Sequence, residues 1–182
     1  MLHLIIGCMY AGKTEAVIRI ARRYEAINKK VLFVNHNIDT RYSKDSFVVS
    51  HNGTKKECVK LDFLRELETS YDFENADVVI IEEAQFFQDI YEFIKKHLFT
   101  KKKFIVSGLS GDTSLNPIGD ILRLIPMAEN VEKLNGLCQI CNDGTIGSFT
   151  RRKGTDVGQI IVGGKELYSC VCISHFICKS GK

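Results

Sequence analysis

The sequence predicts an α/β domain built on a parallel β-sheet. Four short runs of apolar, mostly β-branched residues recur along the chain: Leu4–Ile6, Val31–Val34, Val78–Ile81 and Phe104–Val106. Runs without polar alternation are typical of strands buried on both faces, as in a parallel sheet. Segments with helical periodicity separate these runs. Such alternation of strands and helices favours a parallel sheet joined by right-handed crossovers.

The spacing of apolar residues predicts three amphipathic helices: Thr14–Ala26, Phe87–Leu98 and Ile118–Leu124. In the first helix, Val17, Ile18 and Ala21 share one apolar stripe, and the arginines lie largely elsewhere. We expect the third helix to end before Pro126, because proline disfavours helical backbone in the residue that precedes it.

The composition argues against several classes of protein. The 182 residues carry a net charge of only +3, so no broad positive field favours nucleic acid or a membrane surface. No apolar run is long enough to cross a bilayer, and the first predicted strand lacks the basic leader of a signal peptide. Seven cysteines in such a chain indicate metal ligands or free thiols before disulfides. We therefore expect a cytoplasmic protein.

A phosphate-binding loop follows the first predicted strand. The pattern G-x-x-x-x-G-K-[S/T] is complete, and its residues are Gly7, Cys8, Met9, Tyr10, Ala11, Gly12, Lys13 and Thr14. In such loops the backbone N–H groups and the N-terminus of the next helix face the phosphates. We expect Lys13 to neutralise the β- and γ-phosphates of ATP and the Thr14 hydroxyl to bind Mg²⁺. The loop predicts a nucleoside-triphosphate site but not which reaction it serves.

Two adjacent acids follow the third predicted strand. Glu82 and Glu83 come directly after Val78–Ile81, and ligands of open α/β sheets bind at this carboxyl edge. Neighbouring side chains on an extended chain point in opposite directions, so we expect the two carboxylates to have different roles. One would hold Mg²⁺ through water, and the other would take a proton from an acceptor hydroxyl as a general base.

A cysteine–histidine pattern near the C-terminus predicts a structural zinc site. Two pairs with x₂ spacing supply four ligands: Cys138, Cys141, Cys172 and His175. Four such ligands complete a tetrahedral Zn²⁺ site and leave no open position for catalysis. Cys170 is an alternative ligand, although Cys170-x-Cys172 has poorer spacing. We expect the remaining cysteines to be free thiols, with Cys8 close enough to the phosphates for its oxidation to matter.

Several separated motifs resemble the cellular-type thymidine kinase family, which also occurs in poxviruses and bacteria. The motifs are the phosphate loop, Asp39–Tyr42, Glu82–Phe87, Leu109–Gly119, Pro126–Glu129, the Cys138/Cys141 pair, and Val162–Gly164 followed by Tyr168. The resemblance extends from about Leu4 to His175. It implies a RecA-like P-loop NTPase sheet with a small C-terminal zinc-containing lasso domain. It also implies transfer of phosphate from Mg-ATP to the 5′-hydroxyl of thymidine, or of deoxyuridine, in pyrimidine deoxynucleotide salvage.

The resemblance also implies roles for individual residues. Glu83 corresponds to the catalytic base, Glu82 to the Mg²⁺-associated acid, which is normally aspartate, and Arg41 to an arginine near the transferring phosphate. Other positions correspond to the thymidine pocket: Met9, Phe86, Leu109, Thr113, Ile118, Gln159, Ile160, Ile161, Val162, Gly163 and Tyr168. Thr113 and Ile118 stand where the family has aromatic residues, so we expect a pocket with less aromatic wall and a less strict preference for thymidine.

The composition changes near Leu137: cysteines, glycines and β-type residues follow, with little helical periodicity. This change predicts that the chain has two parts. Residues 1–136 would form the ATP-binding α/β domain, 137–178 the zinc-binding lasso or lid, and 179–182 a short tail. By resemblance, the lid closes over the nucleoside, the end product dTTP inhibits the enzyme, and the chain forms a homodimer or homotetramer.

Two other functions remain open from the residues. A P-loop ATPase could use the zinc knuckle to bind nucleic acid, although the mild net charge and the lack of an aromatic–basic stripe argue against it. A relative without catalytic activity is the other alternative, and the intact Lys13, Thr14 and Glu83 argue against that.

Overall fold

A six-stranded, all-parallel sheet forms the centre of the fold in the computed structural model, which describes residues 1–38, 47–49, 53–154, 163–164 and 166–178. The strands are β1 (Leu2–Gly7), β2 (Val31–His36), β3 (Phe47–Val49), β4 (Lys55–Glu57), β5 (Val59–Leu61), β6 (Val78–Ile81), β7 (Lys103–Leu109), β8 (Asn130–Leu134), β9 (Gly136–Leu137), β10 (Ile146–Gly147), β11 (Phe149–Arg152) and β12 (Tyr168–Val171). The α-helices are α1 (Lys13–Glu25), α2 (Tyr71–Asn75), α3 (Ile90–His97) and α4 (Ile173–Ile177). Three 3₁₀-helices span Leu64–Thr69, Ala84–Phe86 and Ile121–Met127.

The strand order in the central sheet is β5-β2-β6-β7-β1-β8. All neighbouring strands run parallel, which confirms the predicted P-loop α/β fold class. Strand β1 ends in the phosphate loop and β6 ends before the two acids, and β7 separates them. Because parallel strands share one carboxyl edge, the phosphate loop and the two acids lie at the same edge of the sheet, about two strand spacings apart.

Two helix predictions need correction. The segment predicted as a helix ending before Pro126 is instead a 3₁₀-helix that continues through Pro126 to Met127. Its backbone hydrogen bonds connect residues three positions apart, as from the Arg123 N–H to the Asp120 carbonyl. Pro126 therefore does not interrupt a series of α-helical hydrogen bonds between residues four positions apart. Helix α3 begins at Ile90 and not at Phe87, because a short 3₁₀-helix precedes it.

Both faces of the sheet are covered by apolar clusters. Helix α1 covers one face with Val17, Ile18 and Ala21, as its periodicity predicts. The opposite face carries the larger cluster, which includes α3 and the fully buried side chain of Phe87. In the described residues no helix combines the length and the apolar character needed to span a bilayer.

Phe87→Ala is expected to lower the free energy of unfolding by about 3–5 kcal/mol, because truncation of a large side chain in this cluster leaves a cavity. Denaturant unfolding followed by circular dichroism measures the change. Phe99→Ala is the matched control: Phe99 is 94 % exposed, so its removal should change stability by no more than about 0.5 kcal/mol. Equal effects of the two substitutions would contradict this packing.

The C-terminal part adds small antiparallel pairs that lie against the phosphate loop. Strand β9 pairs with β10, and β11 pairs with β12. The backbone N–H of Met9 donates to the Thr150 hydroxyl on β11 at 2.9 Å. Strand β11 therefore contacts the loop that follows the first strand.

Candidate active site

The phosphate loop has the backbone that its glycines permit. Gly12 adopts φ +80°, in the left-handed region that favours glycine, and α1 begins at the next residue. Gly7 lies where β1 runs beside β8, and a Cβ there would collide with the carbonyl oxygen of Leu134. The loop therefore leads directly into a helix N-terminus, which is the arrangement that binds phosphates.

The Lys13 ammonium group and the Thr14 hydroxyl of the motif are held at the carboxyl edge of the sheet. Lys13, only 8 % exposed, donates from Nζ to the carbonyl oxygen of Cys8 at 2.8 Å, so its charge lies within the loop. The Thr14 hydroxyl donates to Oε1 of Glu82 at 2.5 Å. Ser107 on β7 donates to the other oxygen of the same carboxylate.

This network joins helix α1 to strand β7 and to the end of strand β6. Glu82 is 2 % exposed and follows β6, and its two carboxylate oxygens accept from the first turn of α1 and from Ser107 on the intervening strand β7. A hydroxyl and a carboxylate are hard oxygen ligands of the kind that Mg²⁺ prefers. Thr14 and Glu82 are thus brought together as the sequence predicts, and their chemistry fits Mg²⁺.

Glu83 departs from the extended backbone assumed for the two acids. It adopts φ 52° and ψ 39°, in the left-handed region, and a 3₁₀-helix begins immediately after it. This turn changes the direction of the Glu83 side chain. The alternation of side chains along an extended strand therefore does not explain why the Glu82 and Glu83 carboxylates point in different directions. A residue with a Cβ in this conformation is strained, and such residues concentrate at functional sites.

Gln85 positions the Glu83 carboxylate. Its Nε2 donates to Oε2 of Glu83 at 2.5 Å, and its Oε1 accepts from the backbone N–H of Leu109 at 3.0 Å. The amide orientation is fixed, because a backbone N–H can only donate and must therefore face the oxygen. A Cβ on Gly108 would collide with the same amide. The end of β7 thus sets the position of Glu83 through Gln85.

The side chains assigned to the thymidine pocket differ in burial. Met9, Ile118 and Tyr168 are buried, and Phe86, Leu109, Thr113 and Gly163 are half-buried. Phe86 contacts the His36 ring with centroids 6.0 Å apart, and the Arg152 guanidinium lies over the Tyr168 ring at 5.6 Å. Four further positions of the predicted pocket, 159–162, lie outside the described residues, as does Arg41.

The predicted zinc ligands converge in space. The ligand atoms of Cys138, Cys141, Cys172 and His175 all lie within 4.8 Å of one another. Nδ1 of His175 lies 3.6, 3.3 and 3.3 Å from the three sulfurs in chain order, and Cys141 Sγ lies 3.8 Å from Cys172 Sγ. Zn²⁺ bonds of about 2.3 Å to sulfur and 2.0–2.1 Å to nitrogen give tetrahedral edges of about 3.6–3.8 Å. The cluster could therefore hold zinc.

The local electrostatics favour a thiolate at this cluster. Burial raises the pKa of the Cys138 thiol, but the backbone N–H groups of Cys141, Cys172 and Ile140 outweigh it and bring the pKa to about 6. A deprotonated thiol is the form that binds metal. Cys170 does not join the four ligands; its sulfur lies 3.5 Å from that of Cys8.

Comparison with known proteins decides the family. The family model described as thymidine kinase matches residues 1–176. This chain belongs to the thymidine kinase family. It is 37 % identical over 171 residues to the thymidine kinase of Rabbit fibroma virus (strain Kasza), and the match covers 94 % of this chain and 93 % of the viral protein. It is 35 % identical over 181 residues to the thymidine kinase of Oryza sativa subsp. japonica, covering 97 % of this chain and 66 % of the rice protein. With thymidine kinase a of Arabidopsis thaliana the identity is 36 % over 179 residues, covering 96 % and 74 %.

Membership of the thymidine kinase family confirms the resemblance drawn from the motifs. Three contacts of the site are additional to those predictions: the Ser107 hydroxyl on Glu82, the Gln85 amide on Glu83 and the Thr150 hydroxyl on the phosphate loop. Gln85 lies inside the motif Glu82–Phe87, two residues after Glu83. Its position in that motif could therefore have indicated a contact with the Glu83 carboxylate. Ser107 and Thr150 have no local pattern, because their roles come from strand neighbours distant in the chain.

Proposed function

We propose that this chain transfers the γ-phosphoryl group of ATP to the 5′-hydroxyl of thymidine, with Glu83 as the general base. The observation that carries the proposal is the contact between Thr14 and Glu82. It joins a complete phosphate loop to Glu82, the residue that precedes the proposed base, in a chain of the thymidine kinase family. A general base next to the γ-phosphate site suits transfer to a hydroxyl.

The residues of the site have distinct parts in this reaction. Lys13 neutralises the β- and γ-phosphates, and the N–H groups before α1 bind the phosphate oxygens. Thr14 and Glu82 would hold Mg²⁺, which neutralises charge on the phosphates when bound. Glu83 accepts the proton of the attacking hydroxyl, and the Gln85 amide keeps its carboxylate in place. Arg41 is proposed to stabilise charge on the transferring phosphate.

The zinc-binding part acts as the lid in this proposal. The chain divides into a catalytic domain (1–136), a lid (137–178) and a tail (179–182). A structural Zn²⁺ on the four-ligand cluster ties the ends of the lid together, and the main chain of Gln159–Gly163 binds the edge of the base. Support comes from the contact between Thr150 and Met9, which joins the lid to the phosphate loop.

The remaining substrate and assembly properties extend the same proposal. Deoxyuridine is a second acceptor, because Thr113 and Ile118 leave less aromatic wall than the family pattern has. The end product dTTP inhibits by occupying the acceptor site. The chain works in the cytoplasm as a dimer or tetramer.

The direct test is transfer of label from γ-radiolabelled ATP to a panel of nucleosides. Label is expected on thymidine, with weaker labelling of deoxyuridine and none of purine nucleosides. If ATP is hydrolysed and no nucleoside is labelled, the kinase proposal fails. ATP hydrolysis stimulated by single-stranded DNA would then indicate the nucleic-acid-binding ATPase.

Gln85→Leu is expected to lower kcat by about 10- to 100-fold, because a hydrogen bond to a charged group contributes about 1.5–3 kcal/mol. The KM values for ATP and thymidine should change much less, since the amide holds the base and not a substrate. Steady-state kinetics measure both constants. Gln88→Leu, on the exposed side of the same segment, is the matched control. A kcat of Gln85→Leu equal to that of the control would remove Gln85 from the mechanism.

A further inference from the structure

Two thiols outside the zinc cluster meet between the phosphate loop and the lid. Sγ of Cys8 lies 3.5 Å from Sγ of Cys170, although 162 residues separate them in the chain. Cys8 is the second residue of the phosphate loop, and Cys170 lies on β12. Both are buried, at 2 % and 0 % exposure. The proposed ATP and zinc chemistry uses neither sulfur.

The surroundings are shaped to hold both sulfurs. The carbonyl oxygen of Gly147 lies 3.5 Å from the Cys8 sulfur and 3.3 Å from the Cys170 sulfur, so it can accept from either thiol when that thiol is protonated. Cβ atoms on Gly136 and Gly147 would approach the Cys170 sulfur to 2.8 and 2.5 Å, closer than real contacts allow. Glycine at both positions therefore leaves room for the sulfur of Cys170 beside Cys8.

Cys8 has the character of a nucleophile. When Cys8 is the thiolate, the Cys170 thiol donates a hydrogen bond to it. This bond and the positive charge of Lys13 bring the pKa of Cys8 to about 6, although burial opposes this. The thiolate is the form of cysteine that oxidants attack. A second thiol in contact is the arrangement that converts the first oxidation product into a disulfide.

We propose that Cys8 and Cys170 form a reversible disulfide that links the phosphate loop to the lid and stops turnover. The oxidant is a peroxide. The Cys8 thiolate attacks one peroxide oxygen, the O–O bond breaks, and Cys8 sulfenic acid and, after protonation, water result. The Cys170 sulfur then attacks the Cys8 sulfur and loses its proton, the S–O bond breaks, and a second water leaves. Two thiols and one hydrogen peroxide thus give one disulfide and two waters.

The link would disturb the site through the backbone of Cys8. A disulfide needs the sulfurs at about 2.05 Å, so they must approach by about 1.5 Å. The carbonyl of Cys8 accepts from Lys13, and the next residue donates to Thr150. A displaced loop misplaces the ammonium group for the phosphates, and errors of about 1 Å can cost about 100-fold in rate. The bond also prevents the lid from separating from the loop.

The test treats the zinc-loaded enzyme with hydrogen peroxide and identifies linked peptides by mass spectrometry. A peptide joining Cys8 to Cys170 is expected, with a loss of turnover of at least about tenfold that dithiothreitol reverses. Cys170→Ser should give no linked peptide, and its Cys8 should be trapped as sulfenic acid by dimedone. Cys170→Ala serves the same purpose if the serine variant does not fold. Cys178→Ser, which removes an exposed thiol, should behave as the unmodified chain.

A chromophoric chelator in the same reaction follows zinc release. Inactivation that tracks zinc release, with no Cys8–Cys170 peptide, would overturn the proposal. If a sample in which every chain carries the Cys8–Cys170 disulfide keeps its full turnover, the claim that the disulfide inhibits the enzyme is overturned. The linked peptide is detected without any nucleoside substrate, so failure of the proposed kinase function would be visible separately, in the reduced enzyme.

Discussion

Glu83→Gln is expected to lower kcat by about 100- to 10,000-fold, the range that a positioned general base contributes. Glutamine keeps the size of the side chain and can still meet Gln85, but it cannot accept a proton from the 5′-hydroxyl. The KM for ATP should stay close to its original value, because in the proposed mechanism Lys13 and the loop bind the phosphates. Steady-state transfer of label to thymidine measures kcat, and nucleotide fluorescence titration measures ATP binding.

The control for this substitution is Glu92→Gln, which removes one carboxylate from the exposed face of α3. It should leave both constants unchanged. A Glu83→Gln variant that keeps more than about a tenth of the original kcat would show that another group, or water, takes the proton.

Cys138→Ser is expected to abolish stoichiometric zinc binding and to raise the KM for thymidine by more than about tenfold. A structural zinc contributes about 10–16 kcal/mol in small domains, far more than the short pairs β9–β10 and β11–β12 can supply alone. ATP binding should fall less, because the phosphate loop belongs to the central sheet. Metal content by mass spectrometry and separate KM values for the two substrates measure these effects.

Cys178→Ser is the matched cysteine control, since Cys178 is exposed and lies outside the four-ligand cluster. Its zinc content and KM values should equal those of the unmodified chain. If Cys138→Ser loses zinc and keeps its KM for thymidine, the zinc-binding segment is not the lid of the nucleoside site.

The parts of the fold visible in the sequence are those with continuous burial or a fixed chemical pattern. The sequence predicts strand β6 with its observed limits, Val78–Ile81, because all four residues are apolar and buried and charged residues flank them on both sides. The phosphate loop was predicted because catalysis of phosphate transfer restricts its residue types. The zinc cluster was predicted because two x₂ pairs must meet around one tetrahedral ion.

The parts that escaped prediction depend on neighbours distant in the chain. Strand β8 lies at the sheet edge and is mostly exposed or half-buried, so its sequence Asn130–Leu134 lacks a continuous apolar run. Strand β5 has only three residues. The left-handed backbone of Glu83 is imposed by the surrounding structure, since glutamate has no preference for that region. No spacing rule pairs Cys8 with Cys170.

The position of β1 has a consequence for the order in which the chain folds during synthesis. Among the described strands, β1 pairs with β7 and β8 alone, and the partner of Leu2 on β7 is Phe104, 102 residues later in the chain. At roughly 5–20 residues per second, a ribosome needs roughly 5–20 s to make that partner. Through this interval the largely buried strand β1 has no strand beside it. Slowed elongation between β1 and β7 would therefore lengthen its exposure to chaperones and to aggregation.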